Sequence, residues 1–151
     1  MRLDHKTIFI SYSHSDAKWL KRLQIHLKPL ERHGEIVSWD DTKISSGSKW
    51  DLEIEKALRC SSAAILLVSA DFLASDFITT HELLPLLAEA EHRGATILPI
   101  IVSPCRFEKT EMLSRFQAIN PPSRPLTKMT RNGQEEVFVK VTEAVEKIFG
   151  S

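Results

Sequence analysis

Largely apolar positions fall into four short runs along the chain. They span residues 7–10 (TIFI), 35–39 (EIVSW), 63–68 (AAILLV) and 95–102 (ATILPIIV). Their length and their content of β-branched and aromatic side chains predict strands rather than helices. Such nearly continuous apolar runs are typical of a parallel sheet that is buried on both faces.

Helical spacing of apolar residues fills the intervals between these runs. A first helix, which Ser15 or Asp16 caps and Gly34 ends, has its apolar positions at Trp19, Leu20, Leu23, Leu27 and Leu30. The next helix places Trp50, Ile54, Ala57 and Leu58 on one face, and the last places Val137, Val141, Val145 and Ile148 there. Between them, a helical stretch ends near His92, and Pro85 kinks it or marks a new helical start.

Residues 103–132 are rich in loops, with prolines at Pro104, Pro121, Pro122 and Pro125. A short helix near 111–118 and a short fifth strand near 124–128 are predicted there. The order β-α-β-α-β-α-β, followed by an irregular stretch and a helix, predicts one open α/β domain with helices on both faces of the sheet.

Composition limits the classes of partner and compartment. The 151 residues suit one domain, and 20 basic residues balance 20 acidic ones, so no overall charge draws the chain to nucleic acid. Neither a signal peptide nor an apolar stretch of membrane-spanning length occurs, and we expect a cytoplasmic protein without membrane contacts. Cys60 is predicted to be a buried, reduced thiol, and Cys105 a structural or incidental one.

Ligands of open α/β sheets bind beyond the carboxyl ends of the strands, where the strand order reverses. Here those ends lead into Ser11–Ser13, residues 40–49, residues 69–71 and residues 103–106, and Glu82 follows the third strand. In a flavodoxin-like order 2-1-3-4-5, strands one and three flank the reversal. Glu82 is therefore expected near this reversal.

Several familiar chemistries do not fit this sequence. A phosphorylated receiver domain needs acidic residues after the first strand and an aspartate at the end of the third, where this chain has Ser11, Ser13 and Ser69. The glycine-rich dinucleotide fingerprint and the P-loop are absent. The sequence has no HExxH motif and no cluster of zinc-ligand spacing, so we expect no metal.

Three segments together resemble TIR (Toll/interleukin-1 receptor) domains. Residues 9–16 (FISYSHSD) are similar to box 1 of that family. Residues 41–50 follow the D-x-x-I-x-x-G-x-x-W pattern of the bacterial BB loop. Residues 66–77, followed by Glu82, resemble the bacterial segment that carries the active-site glutamate. The family often has tryptophan or tyrosine in place of Phe77, and its late FW motif is not evident, but the resemblance spans about residues 5–149.

The resemblance implies a flavodoxin-like fold with a five-stranded parallel sheet of order 2-1-3-4-5, formed by residues 1–151 as a single TIR domain. It also implies cleavage of NAD+ at the nicotinamide–ribose bond, to ADP-ribose or a cyclic isomer, in prokaryotic antiviral immunity. NAD+ is then the substrate, no cofactor is needed, and activity depends on self-association. The chain would be the N-terminal domain of a longer protein with a fused sensor.

The resemblance also assigns roles to individual residues. Glu82 is the catalytic residue. Substrate binding falls to Phe9, Ser11, Tyr12, Asp40, Lys43, Trp50 and Phe77. The BB loop reaches a neighbouring copy through Asp41, Ile44, Ser46 and Gly47.

A single glutamate suffices for this reaction on chemical grounds. Nicotinamide leaves NAD+ as a neutral molecule, so the leaving group needs no proton and the usual pair of glycosidase carboxylates reduces to one. That carboxylate stabilises the oxocarbenium-like transition state or binds the ribose hydroxyls.

Other interpretations of the same residues stay open. Without the resemblance, Glu82 is a solvated helix residue. Phe9 is a core residue of its strand, Trp50 an anchor of its helix, and the pair Asp40-Asp41 a loop cap. As a whole, the chain is alternatively a non-enzymatic TIR–TIR adaptor, or an enzyme similar to nucleoside deoxyribosyltransferases, against which the BB-loop pattern argues.

Overall fold

Four parallel strands form a sheet of order β2-β1-β3-β4. A computed structural model describes residues 7–32, 37–39, 50–75 and 83–150 of the protein. Within these ranges the strands are β1 (Thr7–Ser11), β2 (Val37–Trp39), β3 (Ser61–Val68) and β4 (Thr96–Ile101). The four strands expected from the apolar runs are therefore confirmed, as is the order of their pairing.

Helices connect and cover the strands. They are α1 (Ala17–Arg32), α2 (Trp50–Arg59), α3 (Ala70–Ala74), α4 (Leu83–His92), α5 (Glu111–Ser114) and α6 (Arg131–Gly150). Short 3-10 helices span His14–Asp16, Phe107–Lys109 and Leu126–Lys128. Pro85 lies in the first turn of α4, in agreement with the new helical start expected there. The helix expected near 111–118 is shorter and ends at Ser114.

Alternating side chains of the strands build two cores, one on each face of the sheet. Ile8 and Ile10 of β1 belong to the first core, which packs against the leucines of α1 and the apolar face of α6. Phe9 between them belongs to the second core, with α2 and α4. Both faces of the sheet are buried at β3, which explains why the sequence of β3 is an unbroken apolar run.

The predicted fifth strand near 124–128 is wrong, because the described chain forms a 3-10 helix there, Leu126–Lys128. Irregular backbone covers the outer edge of β4 instead. Ile119 N donates to the carbonyl oxygen of Pro99 at 2.8 Å, and Thr127 N donates to that of Val102 at 3.0 Å. The prolines of this stretch lack the N–H groups that a continuous ladder requires.

Asn120 takes the place of a strand residue at this edge. Its Oδ1 accepts from Ile101 N at 2.9 Å, and its Nδ2 donates to Ile101 O, also at 2.9 Å. The side-chain amide thus makes the pair of hydrogen bonds that a neighbouring peptide group would make. Nδ2 also donates to Arg124 O at 2.9 Å, which holds the covering segment in place.

Pro99 fits within β4 because of where its nitrogen points. Amides alternate in direction along a strand, and Ile101 N points outward to Asn120, so the nitrogen of Pro99 also points to the outer edge. Its missing N–H therefore removes no hydrogen bond to β3. An edge strand is where proline is tolerated in a sheet.

Cys60 is exposed rather than buried, because it follows the last turn of α2 outside both cores, and the expectation of a buried thiol is wrong. Both cysteines are free. Of the helices within the described ranges, none is long and apolar enough to cross a bilayer.

Candidate functional site

The carboxyl ends of β1 and β3 lie side by side at the centre of the sheet, where Ser11 pairs with Leu66. The chain leaves β1 toward β2 on one side and later returns to β3 on the other. This is the reversal of strand order at which ligands of open α/β folds bind. The observed order places it between β1 and β3, as the sequence predicted.

The loop that leaves β1 folds back as a short 3-10 helix, His14–Asp16. Ser13 caps it: its Oγ accepts from Ser15 N at 3.2 Å, and its carbonyl oxygen accepts from Asp16 N at 2.8 Å. The tight turn brings the side chain of Asp16 inward, where the residue is only 8% exposed. Among the described contacts, the Asp16 carboxylate accepts from Ser69 and not from a backbone N–H of α1, so Asp16 does not form the helix cap that the sequence suggested.

Asp16 reaches instead to the end of β3. Oγ of Ser69 donates a hydrogen bond to Oδ2 of Asp16 at 2.5 Å. The same Oγ accepts from Phe72 N at 3.0 Å and so caps α3. Ser69 is 2% exposed, so this chain of hydrogen bonds is almost fully shielded from solvent. It ties the exit of β1 to the exit of β3.

The sequence did not single out this pair. Ser69 stands where a receiver domain would have an aspartate, and Asp16 immediately precedes a helix. An acidic residue shortly after the first strand and a hydroxyl at the end of the third are neighbours only once the order 2-1-3 is fixed. That combination is the signal that would have found them.

The predicted substrate-binding residues at the end of β1 are buried to different degrees. Phe9 is 2% exposed and packs in the second core, which favours the core interpretation over a ring platform. Ser11 is also buried. Tyr12 is half-buried against the first core, and its ring centroid lies 5.7 Å from that of His14. Of Phe9, Ser11 and Tyr12, Tyr12 is therefore the most exposed to solvent.

Trp50 is the first residue of α2. The other predicted site residues lie outside the described ranges: Asp40, Asp41, Lys43, Ile44, Ser46, Gly47, Phe77 and Glu82. The residue that follows Glu82 in the chain, Leu83, is fully buried in the second core. Phe72, at the other end of the same connection, is buried in that core as well.

The described residues were compared with the requirements of a metal site and of a reactive thiol. They contain no group of three or more histidine, cysteine, aspartate or glutamate side chains that would hold a metal ion. Burial raises the pKa of the Cys105 thiol, against a smaller opposing effect of its hydrogen bond with the backbone of Phe107. A raised pKa leaves less thiolate, which is the reactive form.

The family model described as "TIR domain" matches residues 8–131. The chain belongs to the TIR domain family. A curated relative, the "Uncharacterized protein y4lF" of Sinorhizobium fredii (strain NBRC 101917 / NGR234), is 31% identical over 145 residues, which is 95% of this chain. This TIR domain spans 44% of the length of that relative.

Two solved structures share the fold of this TIR domain. One is the TIR domain of the Toll-related receptor TRR-2 from Hydra magnipapillata, with a TM-score of 0.52 and 18% identity, covering 92% of this chain and 97% of that one. The other comes from the activated Roq1 resistosome that directly recognises the pathogen effector XopQ. Its TIR domains give a TM-score of 0.53 and 19% identity, covering 96% of this chain and 84% of that one. The motif resemblance is thus confirmed for the family and its α/β fold.

Proposed function

We propose that this TIR domain is an NAD+ nucleosidase that cleaves the nicotinamide–ribose bond with Glu82 as the catalytic carboxylate. The observation that carries the proposal is the family match over residues 8–131, which includes the segment that resembles the glutamate-bearing stretch of bacterial TIR domains. Phe72 and Leu83, which precede and follow Glu82 in the chain, are both buried in the second core.

The chemistry requires one negative charge close to the ribose ring. As nicotinamide departs, positive charge develops on the ribose, and a carboxylate held nearby stabilises it. Water or an atom of the ADP-ribose part then completes the reaction, giving ADP-ribose or a cyclic isomer. NAD+ is the substrate, and no cofactor takes part. Tyr12, half-buried at the end of β1, is suited to bind ribose or phosphate oxygens.

Activity is proposed to depend on self-association through the BB loop, in an immune response to infection. The structural similarity to TIR domains of an assembled resistosome supports an oligomeric active form. The curated relative is longer than the matched region, which is in keeping with a TIR domain next to a sensor domain.

Incubation of the protein with NAD+ tests the proposal when nicotinamide release is followed by chromatography. The protein is assayed both as the dilute free domain and fused to an oligomer-forming module. We expect release from the assembled form, and strong loss of it in Glu82→Ala and Glu82→Gln. Glu143→Gln, a change at an exposed glutamate of α6, is the matched control.

The outcomes separate an enzyme from an adaptor. If the assembled wild type releases no nicotinamide, the enzyme proposal is wrong. If the wild type is active and both Glu82 variants keep full activity, the proposal fails for Glu82 alone. An adaptor would lose self-association on substitution of Ile44 or Gly47 and would be indifferent to Glu82.

A further inference from the structure

Asp16 is a buried carboxylate at the reversal of strand order. Among the described residues, a single side-chain hydrogen bond reaches it. Oδ2 of Asp16 accepts from the hydroxyl of Ser69 at 2.5 Å. Asp16 is 8% exposed and Ser69 is 2% exposed. Removal of a carboxylate from water costs free energy unless strong hydrogen bonds or a specific role compensate for it. A side chain that served only to fill space would be apolar here.

The bond fixes the direction of the Ser69 hydroxyl. A serine hydroxyl has one proton and rotates to suit its partners. Because the proton points to Asp16, a lone pair of the same oxygen is left for Phe72 N–H, at 3.0 Å. An acceptor at position 16 therefore holds Ser69 in the rotamer that caps α3. Charge on that acceptor shortens and strengthens the bond.

Helix α3 has five residues, Ala70–Ala74, too few to form stably without its surroundings. It is held by the Ser69 cap at its start and by the burial of Phe72, which is 1% exposed. The chain then continues from Ser75 to Leu83, across the stretch that contains Glu82. Helix α3 precedes that stretch in the chain, and the start of α3 is held by Asp16 through Ser69.

We propose that Asp16 is a positioning residue for the nucleosidase reaction. Through the hydroxyl of Ser69 it fixes α3, the last described element before Glu82 in the chain. This inference rests on the proposed function. It predicts that the loss of Asp16 lowers kcat and leaves KM for NAD+ nearly unchanged, because catalytic geometry is affected more than the contacts that bind substrate.

Four variants test the pathway. Asp16→Ala removes the acceptor, Asp16→Asn keeps a neutral oxygen acceptor, Ser69→Ala removes the link, and the double change Asp16→Ala/Ser69→Ala removes both. Asn120→Ala is the matched control, because it deletes hydrogen bonds of an equally buried polar side chain at the outer edge of β4. All are assayed in the assembled form at a temperature at which each is folded.

We expect Asp16→Ala and Ser69→Ala to lower kcat between about tenfold and a hundredfold, since small misplacements of catalytic groups cost this much. Asp16→Asn should recover most of the rate, and the double variant should be little slower than either single one. Asn120→Ala should lower the unfolding temperature and keep the wild-type kcat. Hydrogen exchange at the amides of residues 70–75 should speed up in Asp16→Ala and stay slow in Asn120→Ala.

Different results would overturn the inference. A wild-type kcat in Asp16→Ala, or unchanged exchange over residues 70–75, would show that Asp16 does not position α3. An equal loss of kcat in Asn120→Ala would show that general destabilisation is the cause. Each of these leaves the proposed function standing if the wild type cleaves NAD+ and Glu82→Gln does not. A wild type that releases no nicotinamide would instead refute the function, and with it the catalytic role of Asp16.

Discussion

Arg22 of α1 holds Glu135 of α6 through two parallel hydrogen bonds. Arg22 Nε donates to Oε2 at 2.7 Å, and Nη2 donates to Oε1 at 2.6 Å. His26 Nε2 lies 3.1 Å from Oε1, and Arg131 Nε lies 3.7 Å from Oε2. The hydrogen bond from Arg22, aided by that from His26 and by the charge of Arg22, lowers the pKa of Glu135 from 4.5 to about 2. The same bond raises the pKa of Arg22.

This network predicts a dependence of stability on pH. Because the pKa of Glu135 is lower in the folded protein than in the unfolded chain, its charge stabilises the fold above about pH 4.5, and the effect is lost as the pH falls toward 2. Glu135→Gln should therefore unfold at a lower temperature than the wild type at pH 6, and the difference should shrink toward pH 2. Circular dichroism melts across this range measure it.

The exposed Glu143→Gln serves as the control for this experiment, and its melting temperature should follow that of the wild type at every pH. Glu135 remains 26% exposed, so added salt should also narrow the difference between the wild type and Glu135→Gln. A difference that is the same at pH 6 and pH 2 would contradict the role assigned to the Arg22–Glu135 pair.

Asn120 should be one of the polar residues on which the fold depends most. Its replacement by alanine leaves Ile101 N–H and two carbonyl oxygens without their partner at a buried edge, at a cost of about 2–3 kcal/mol in the free energy of unfolding. Asn120→Asp, which keeps an acceptor for Ile101 N–H and loses both donated bonds, should also be destabilised. Urea titration measures both. A loss below about 0.5 kcal/mol in Asn120→Ala would show that Asn120 does not replace a strand.

The two cysteines should differ in reactivity. Cys60 is exposed at the end of α2, whereas Cys105 is partly buried and has a raised pKa. Iodoacetamide at neutral pH should therefore modify Cys60 first, and Cys60→Ser should leave one slowly reacting thiol. Peptide mass spectrometry over time distinguishes the sites. Faster modification of Cys105 would contradict the environment described for it.

The sequence predicted the fold as far as side-chain pattern determines it. Unbroken apolar runs such as 63–68 identified the strands, and helical spacing identified the leucines of α1, all of which are buried. The pattern failed at residues 124–128, where a side-chain amide from Asn120 substitutes for strand pairing and no periodicity reveals it. It failed at Cys60 because burial of a residue at the end of a helix depends on where the chain turns.

The candidate site was predictable to a similar extent. The location at the reversal between β1 and β3 followed from strand order alone. The hydrogen bond from Ser69 to Asp16 did not, because the two residues are 53 positions apart and neither belongs to a local motif that requires the other. For Phe9 the sequence left both a core role and a binding role open, and the pleat of β1 turns its ring into the core.

The most direct test of the proposed function is the rate of nicotinamide release by the assembled protein, compared among wild type, Glu82→Gln and Glu143→Gln. Glu82→Gln keeps the size of the side chain and removes its negative charge. The proposed mechanism predicts equal rates for wild type and Glu143→Gln, and a rate at least about a hundredfold lower for Glu82→Gln, as expected when transition-state charge loses its partner. A wild-type rate in Glu82→Gln, or no release by any of the three, would contradict it.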